Sequence, residues 1–313
     1  MKRYAFGVDI GGTTVKIGLF ETSGVLLDKW EIQTRTSEGG RHILEDIAVA
    51  IQRKCEEKQI VLAEIQGIGM GVPGPILKGG IVNQCVNLGW GVTHVGKIME
   101  ELTGIQNIAV GNDANVAALG EMWKGAGKGC KNVVMVTLGT GVGGGIVLDG
   151  KIVSGRFGAA GEIGHIRVEK DEKRLCGCGK QGHLEQYASA TGIVWKTREL
   201  LKTTTEPSML RQIDEITAKA VFDAAKEGDR LARKVVRFVG EKLGQALSCI
   251  SCILDPEVFV IGGGVSKAGN ILIDEIRKNY KEAAFHASEK TDIVLASCGN
   301  DAGMFGAVKM VLE

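Results

Sequence analysis

Four residues of the types that bind transition metals lie close together near the middle of the chain. Cys176, Cys178 and His183 fall within eight residues, and His165 lies eleven residues before Cys176. Thiolate and imidazole groups are the usual ligands of tetrahedral structural zinc. A C-x-C pair also occurs in redox motifs, but the two nearby histidines favour a metal. The pattern predicts a structural Cys2His2 zinc site, and the alternative is a three-ligand or empty site with His183 merely exposed.

The pair Asn112-Asp113 is a second candidate for chemistry. It lies where a short apolar strand, NIAV, meets the start of a predicted helix, ANVAALGEMW. A strand-to-helix junction is a good place to aim polar side chains into a cleft. The same position also suits a helix N-cap at Asp113, with Asn112 as a turn residue. Local sequence alone favours the capping role.

Three glycine-rich turns follow predicted strands, at residues 9–16 (DIGGTTVK), 138–145 (LGTGVGGG) and 261–269 (IGGGVSKAG). Backbone N–H groups in such turns can hold phosphate oxygens. The hydroxyls of Thr13, Thr14 and Thr140 would add hydrogen-bond donors, and Lys16 would add a positive charge. Any one of these turns by itself is better explained as a tight hairpin, but the three together favour a nucleotide.

The turns do not match the commoner nucleotide motifs. None has the spacing of a Walker A loop. Gly139, Gly141 and Gly144 do match G-x-G-x-x-G, but the dinucleotide-binding form of that motif opens a helix. Here the turn leads into IVLDGKIV, which reads as a β-hairpin. Asp9, which precedes the first turn, is then a candidate to hold the water shell of Mg²⁺, since Mg²⁺ keeps waters and takes few carboxylates.

Strands and helices alternate along the chain, which indicates an α/β protein. The segment from residue 133 reads as strand, glycine turn, strand and hairpin, and this layout echoes residues 4–32. The similarity hints at an internal duplication. The segment Glu169–Gly182 is polar and has little apolar content, so a bound zinc would be needed to fix it. Cys249 and Cys252 lie in an apolar helical run and are interpreted as core or interface packing.

Composition excludes several classes of protein. With 38 Lys and Arg, 37 Asp and Glu and 5% aromatic residues, the chain has neither the charge nor the stacking groups typical of nucleic-acid binding. No apolar run approaches the roughly 20 residues that span a bilayer. No signal peptide is recognisable, so we expect a cytoplasmic protein. The eight cysteines then indicate metal or packing roles and argue against disulfides.

Four segments together resemble the ROK (repressor, ORF, kinase) sugar kinases of the actin-like ATPase superfamily, over essentially the whole chain. DIGGTTVKIGLF and TLGTGVGGGIV are similar to the two phosphate motifs of the family, and IGGGVSKAG is similar to its adenosine motif. GAAGEIGH and CGCGKQGHLEQYASATGI are similar to its signature region. In one respect the sequence departs from the family, which usually has Cys where this chain has His183.

The resemblance implies a role for each candidate residue. Asp113 would be the general base that accepts the proton of the attacking sugar hydroxyl. The implied sugar-binding residues are Gly74 (beside Pro73), Asn87, Asn112, Asp113, Glu162, His165 and Glu185. The implied ATP-binding residues are Asp9, Gly11, Gly12, Thr13, Thr14, Lys16, Thr140, Gly141, Gly263 and Gly264. The implied metal ligands are His165, Cys176, Cys178 and His183.

The family also implies an actin-like (ribonuclease H-like) fold of two α/β domains with a cleft between them. We expect a smaller N-terminal domain of residues 1–116 plus 299–313, and a larger C-terminal domain of residues 117–298 that carries the zinc loop. The implied cofactors are structural Zn²⁺ and the Mg²⁺ that accompanies ATP. A homodimer or homotetramer is expected, with no nucleic-acid or membrane partner.

The implied reaction is transfer of phosphate from ATP to a hexose. The signature region is most similar to the glucokinase branch, so glucose is the first candidate. N-acetylmannosamine, N-acetylglucosamine, fructose and allose are the alternatives. A sugar-sensing regulator is disfavoured, because such members carry a DNA-binding domain before the first phosphate motif, and here that motif starts at Asp9. A purely structural actin-like protein is disfavoured by Asp113, Glu162 and Glu185.

Overall fold

A computed structural model describes residues 2–312. The strands are, in chain order, β1 (Tyr4–Ile10), β2 (Thr14–Glu21), β3 (Leu26–Gln33), β4 (Ile65–Val72), β5 (Ile76–Leu77), β6 (Ile81–Val82), β7 (Thr93–His94), β8 (Ile108–Asn112), β9 (Val133–Leu138), β10 (Val142–Leu148), β11 (Lys151–Ile152), β12 (Val258–Gly262) and β13 (Asp292–Leu295).

The helices alternate with these strands and lie mainly in the second half of the chain. They are α1 (Ile43–Lys58), α2 (Val95–Thr103), α3 (Asp113–Lys124), α4 (Glu185–Ala188), α5 (Ala190–Thr203), α6 (Ala218–Lys226), α7 (Arg230–Leu254), α8 (Asn270–Ala283) and α9 (Ala302–Leu312). Among the described helices, none has both the length and the apolar character that crossing a membrane requires.

The chain forms two compact units. The first comprises Met1–Lys131, Gly145–Gly161 and Ser297–Glu313, and the second comprises Asn132–Gly144 and Glu162–Ala296. Residues 117–131 and 145–161 thus lie in the N-terminal unit by compactness. The functional domain limits expected from the sequence, 1–116 with 299–313 and 117–298, stay a prediction.

The first unit is built on a twisted sheet with the strand order β3-β2-β1-β4-β8. The pairs β1–β2 and β2–β3 are antiparallel, as expected for consecutive hairpins, and β1, β4 and β8 run parallel. One face of this sheet packs against α1 and α2 in a core that includes Phe6, Ile47 and Met99. All three of these side chains are fully shielded from solvent.

Helix α9 lies unusually close to the other face of the first sheet. Gly7 and Gly69 are paired in register on β1 and β4. A Cβ atom on either would overlap the α9 backbone, at the carbonyls of Met304 and Ala307. Glycine at these two sites is therefore what lets the last helix contact the sheet directly. The C-terminal segment thus packs in the N-terminal unit.

The second unit contains three parallel strands, with β12 between β9 and β13. Every residue of β12 is buried, which is typical of a central parallel strand. Its longest helix, α7, buries an apolar stripe that includes Leu231, Val239 and Leu247. Of the two interpretations of Cys249 and Cys252, core packing is wrong, since both residues are exposed while Ile250 and Ser251 between them are buried, and interface packing stays a prediction.

Candidate functional site

Two aspartates of the first unit lie near the same end of its parallel strands, Asp9 on β1 and Asp113 directly after β8. Asp9 on β1 is paired with Gly71 on β4, and Gly71 is paired with Gly111 on β8. Asn112 and Asp113 follow Gly111 directly. Because the two intervening positions are glycines, no side chain separates Asp9 from the end of β8 along this row. The strand register therefore brings together two carboxylates that are more than a hundred residues apart in sequence.

Asp9 occupies a confined position at the end of β1. A Cβ atom on Gly303, in the first turn of α9, would overlap the Asp9 carboxylate. Burial raises the pKa of Asp9 to about 6, the Lys16 charge lowers it, and the Asp113 charge raises it further. A half-buried carboxylate beside a second one suits a cation, because a bound cation offsets the cost of holding both charges.

The helix-capping role at the end of β8 belongs to Asn112, not to Asp113. The Asn112 Oδ1 atom accepts hydrogen bonds from the backbone N–H groups of Ala114 (3.1 Å) and Asn115 (3.2 Å). Asp113 is the first residue of α3, and its Oδ1 accepts from Ala114 N at 2.8 Å. The local interpretation of Asp113 as a mere cap is therefore wrong, because its neighbour performs that function.

The amide nitrogen of Asn112 connects two other candidates. It donates to the carbonyl oxygen of Gly74 at 3.1 Å and to Asp113 Oδ1 at 3.0 Å. Gly74 has a φ of 95°, and a Cβ atom there would lie 2.6 Å from the Gln84 carbonyl oxygen. Asn112 thus orients both Asp113 and the Pro73–Gly74 loop. In this structure the described hydrogen bonds of Asn112 are internal to the protein.

Asn87 is exposed on the short 3-10 turn Val86–Leu88. Backbone hydrogen bonds between Cys85 and Trp90, both 2.9 Å long, close the base of this turn. The Trp90 indole donates to the Gly40 carbonyl oxygen at 3.0 Å and anchors the turn to the segment before α1. Asp113 lies close enough to add to the burial effect that raises the pKa of Cys85.

The first glycine turn closes the β1–β2 hairpin. Gly11 N–H donates to the Thr14 carbonyl oxygen at 3.0 Å, with Gly12 and Thr13 at the tip. Gly12 has open space where a side chain would be. The Lys16 ammonium group donates to the Asn300 carbonyl oxygen at 2.9 Å. The candidate phosphate-binding groups Gly11, Gly12, Thr13, Thr14 and Lys16 therefore share one end of the hairpin with Asp9.

The second glycine turn, in the second unit, contacts Glu185. Val142 N–H donates to Glu185 Oε2 at 3.1 Å. A Cβ atom on Gly141 would overlap that same oxygen. Thr191 at the start of α5 donates to the Thr140 carbonyl oxygen at 3.1 Å. Candidate sugar and candidate phosphate residues, Glu185 and Thr140–Gly141, are thus in direct contact within this unit.

The third glycine turn borders a cavity of about 510 Å³ in the second unit. Gly263 has a φ of 85° and lies so close to the end of β9 that a Cβ atom would be 2.5 Å from the Leu138 carbonyl oxygen. Gly264 is open on the cavity side. The wall is completed by Thr140 and by residues that sequence reasoning missed, because they look like an ordinary amphipathic helix: Ala218, Lys219, Phe222, Asp223 and Lys226 of α6.

The four predicted metal ligands converge. One ligand atom from each of His165, Cys176, Cys178 and His183 lies within 4.8 Å of all the others. The distances are 3.2 Å between the two His Nδ1 atoms, 3.8 Å from Cys176 Sγ to His165 and 3.3 Å from Cys178 Sγ to His183. A tetrahedral site with bonds of about 2.0–2.3 Å needs ligand separations of roughly 3.3–3.8 Å. This cluster could therefore bind a structural metal.

The two nitrogens of His165 face different groups. Nδ1 points into the cluster, whereas Nε2 lies 4.0 Å from Glu162 Oε2. Glu162 is half exposed, at 51% of its side chain, just before the 3-10 turn Ile163–His165. On the other side of the cluster, Cys176 Sγ lies 3.6 Å from Glu185 Oε1. Of the predicted sugar residues of this unit, His165 belongs to the ligand cluster, and Glu162 and Glu185 lie beside it.

Comparison with known proteins agrees with these features. The model of the ROK family matches residues 5–313. A glucokinase of Halalkalibacterium halodurans is 43% identical over 99% of this chain and 96% of its own. A glucokinase of Streptomyces coelicolor is 35% identical over 98% and 97%. The crystal structure of a ROK family glucokinase from Streptomyces griseus, in complex with glucose and AMPPNP, is 34% identical with a TM-score of 0.75 and covers 98% of both chains.

Proposed function

We propose, from the premise that the chain belongs to the ROK family, that it transfers phosphate from ATP to glucose to give glucose 6-phosphate. The chain has the actin-like ATPase fold of that family. The single observation that carries the proposal is that Asp9 and Asp113 are neighbours, because only Gly71 and Gly111 lie between Asp9 and the end of β8. This pair occurs in a chain that matches a glucokinase over 99% of its length.

Asp113 is the proposed general base. As the glucose 6-hydroxyl oxygen attacks the γ-phosphorus of ATP, Asp113 accepts the hydroxyl proton, and the bond from the γ-phosphorus to the β,γ-bridging oxygen breaks to release ADP. Phosphoryl transfer needs mainly positioning and charge stabilisation, so one oriented carboxylate is enough. Asn112 supplies that orientation by donating to Asp113 Oδ1 while its own Oδ1 caps α3. The start of a helix also favours negative charge.

Asp9 is the proposed holder of magnesium through its water shell. Mg²⁺ bound with ATP neutralises phosphate charge. The proposed phosphate contacts are Gly11, Gly12, Thr13, Thr14 and Lys16 of the first unit and Thr140 and Gly141 of the second. Gly263 and Gly264 border the 510 Å³ cavity, which is the proposed site of the adenosine. Its apolar wall, including Phe222 and Val265, suits a purine base.

The proposed contacts to glucose are Gly74, Asn87, Asn112, Asp113, Glu162, His165 and Glu185. Carboxylate, amide and imidazole groups discriminate strongly against a sugar that lacks one hydroxyl, because a buried polar group would be left without a partner. His165 can serve both proposed roles, since its Nδ1 faces the metal cluster and its Nε2 faces Glu162.

The metal is proposed to be structural zinc held by His165, Cys176, Cys178 and His183. Metal analysis of protein purified without chelator should find one zinc per chain. Changing His183 to Cys should preserve that stoichiometry, because either group is a competent zinc ligand, whereas changing it to Ala should lower it. Zinc-free wild-type protein would contradict the proposal.

The decisive test of the reaction is an ADP-release assay over a panel of glucose, N-acetylmannosamine, N-acetylglucosamine, fructose, allose and mannose. We expect the highest kcat/KM for glucose. A higher value for another hexose would assign the chain to another branch of the family, and turnover with none of them would contradict the kinase proposal. The homodimer or homotetramer stays a prediction, which light scattering would measure.

A further inference from the structure

The polar segment 169–183 carries three of the four candidate metal ligands, and side chains outside the ligand cluster also hold it in place. On α7, Lys242 is almost buried, with 8% of its side chain exposed, and it donates to Glu169 Oε2 at 3.2 Å and to the Val168 carbonyl oxygen at 3.4 Å. A second set of contacts, at Glu172 and Arg174, lies nearer the metal ligands. The expectation that zinc alone fixes this segment is therefore incomplete.

Arg174 is enclosed by charge and aromatic contacts. Its Nε and Nη2 atoms donate to Glu172 Oε2 at 3.0 and 2.5 Å, and its backbone N–H donates to Glu172 Oε1 at 2.8 Å. The guanidinium carbon lies 3.1 Å from the centre of a Trp195 ring on α5. A planar guanidinium combines these two contacts in a way that lysine cannot.

Glu172 is held from a second direction by Tyr187 on α4. The Tyr187 hydroxyl donates to Glu172 Oε2 at 2.7 Å, and its ring packs edge-on against Phe238 of α7. Only 9% of the Glu172 side chain is exposed. Burial raises the pKa of this carboxyl, but the hydrogen bonds from Arg174 and Tyr187 outweigh that effect and hold the pKa at about 2. Glu172 is therefore ionised and fully engaged at neutral pH.

Gln186 connects Arg174 to the metal ligand His183. Its buried amide donates from Nε2 to the Arg174 carbonyl oxygen at 3.0 Å, and its Oε1 accepts from His183 N–H at 3.1 Å. His183 is a metal ligand, and Gln186 directly follows Glu185. Arg174, Glu185 and Trp195 also line a common cavity of about 300 Å³. Gln186 therefore links Arg174 to His183 by two hydrogen bonds, and Glu185 is the residue next to Gln186 in the chain.

We propose that Arg174 is a positioning residue, which together with Glu172, Tyr187, Trp195 and Gln186 fixes His183 for the metal and Glu185 for the sugar. These five residues are called the Arg174 clamp. The effect on sugar rests on the role proposed above for Glu185, whereas the effect on the metal does not.

The test compares Arg174→Met with Arg198→Met, a control that removes an exposed charge from the outer face of α5. Removing a group that orients metal ligands typically lowers metal affinity or activity by about 10–100-fold. We expect Arg174→Met to release zinc to a chromogenic chelator at least about tenfold faster than wild type and to raise the glucose KM about tenfold. The ATP KM and kcat should change by less than about threefold, and the control should match wild type.

Two further variants separate positioning from general instability. Glu172→Gln combined with Arg174→Met should be less destabilised than Arg174→Met alone, because the single change leaves a nearly buried carboxylate without its cation. If Arg174→Met does not fold, Tyr187→Phe, which removes one hydroxyl, should show a smaller acceleration of zinc release in a protein of normal melting temperature.

The outcomes distinguish the inference from the proposed function. A wild-type protein that phosphorylates no hexose would refute the proposed function, and the zinc-release comparison would still decide the role of the clamp. Zinc release and glucose KM both unchanged in folded Arg174→Met would overturn the inference. An equal rise of the glucose and ATP KM values would also overturn it, since that indicates general loosening of the unit.

Discussion

The two units share an arrangement of three parallel strands and a glycine turn, but they differ in the residue at a matched position. In the first, β1 pairs with β4 and β4 with β8, and in the second β9 pairs with β12 and β12 with β13. Asp9 lies two residues before Gly11, the first glycine of its turn, and is paired with Gly71. Thr137 likewise lies two residues before Gly139, the first glycine of the second turn, and is paired with Gly262. At corresponding positions, one unit has a carboxylate and the other a neutral hydroxyl.

The charged groups and the cavities are therefore distributed differently over two units that share the same strand pairing. In the first unit, two carboxylates lie near each other, Asp9 at the end of β1 and Asp113 directly after β8. The second unit provides the 510 Å³ cavity, the metal cluster and a glycine turn whose own residues are uncharged and which contacts Glu185. On strands with the same pairing, the first unit therefore has a charged residue where the second has a neutral one.

Among the changes that compare the two units, the largest difference is expected at the matched pair Asp9 and Thr137. Asp9→Asn should lower kcat/KM for MgATP by about 10²–10³-fold, the scale for losing one electrostatic contact to the transition state. Thr137→Val, the corresponding change in the second unit, should lower it by less than about tenfold, because no charge is lost. Steady-state kinetics with varied MgATP measure both, and equal losses would contradict the division of charge.

A smaller effect is expected at Asn112, which the second unit does not match. Asn112→Ala removes the cap of α3, at about 0.5–2 kcal/mol of the free energy of unfolding. It also removes the hydrogen bonds to Gly74 and Asp113, so kcat should fall about tenfold, at the lower end of the range for supporting residues. Asn112→Asp keeps the cap oxygen but turns a carboxylate oxygen toward Gly74 O and Asp113 Oδ1, so it should recover only part of the stability and none of kcat. Denaturant unfolding and initial rates separate the two effects.

The second glycine turn gives an effect of several-fold and an internal control. Gly141→Ala introduces a methyl group that overlaps Glu185 Oε2, so we expect a displaced Glu185 and a raised glucose KM. Gly139→Ala meets open space on the same turn and should leave the glucose KM unchanged. A similar glucose KM in both variants would show that the Glu185 contact has no bearing on sugar binding.

The smallest effect concerns pH and stability without ligands. The pKa of Asp9 is about 6 in the folded protein against 3.8 ordinarily, so the folded state binds more protons between those values. Its contribution to the free energy of unfolding therefore decreases as pH rises from 4 to 6 and stays low above that. Asp9→Asn should be more stable than wild type at pH 8, with a smaller advantage at pH 4. Thermal melts at both pH values, with Thr137→Val as the neutral comparison, test this.

Much of the scaffold could be predicted from the sequence, since its signals are local. Helix α2, for example, ends at Gly104, which has a φ of 73°, and a glycine directly after a helical pattern is a stop signal in the sequence. The metal ligands were also predictable, because three of the four lie within eight residues. The identity of the α3 cap was not, since Asn112 and Asp113 both suit that position and only the hydrogen bonds decide between them.

Features that depend on distant pairings were missed. Phe222 and Asp223 border the large cavity through the packing of α6, which leaves no mark on local sequence. The contact between Glu172 and Tyr187 joins residues fifteen apart across an irregular segment. The exposure of Cys249 and Cys252 was also missed, because an apolar helix shows which face is buried only when its neighbours are known.

The most direct test of the account is the turnover of Asp113→Asn. Loss of a positioned general base should lower kcat by about 10²–10⁴-fold. Glucose binding, measured by calorimetry, should persist within a few-fold, because the other proposed sugar contacts are unchanged. That result would support Asp113 as the base in the charged unit. Near-normal kcat in folded Asp113→Asn would contradict the central claim.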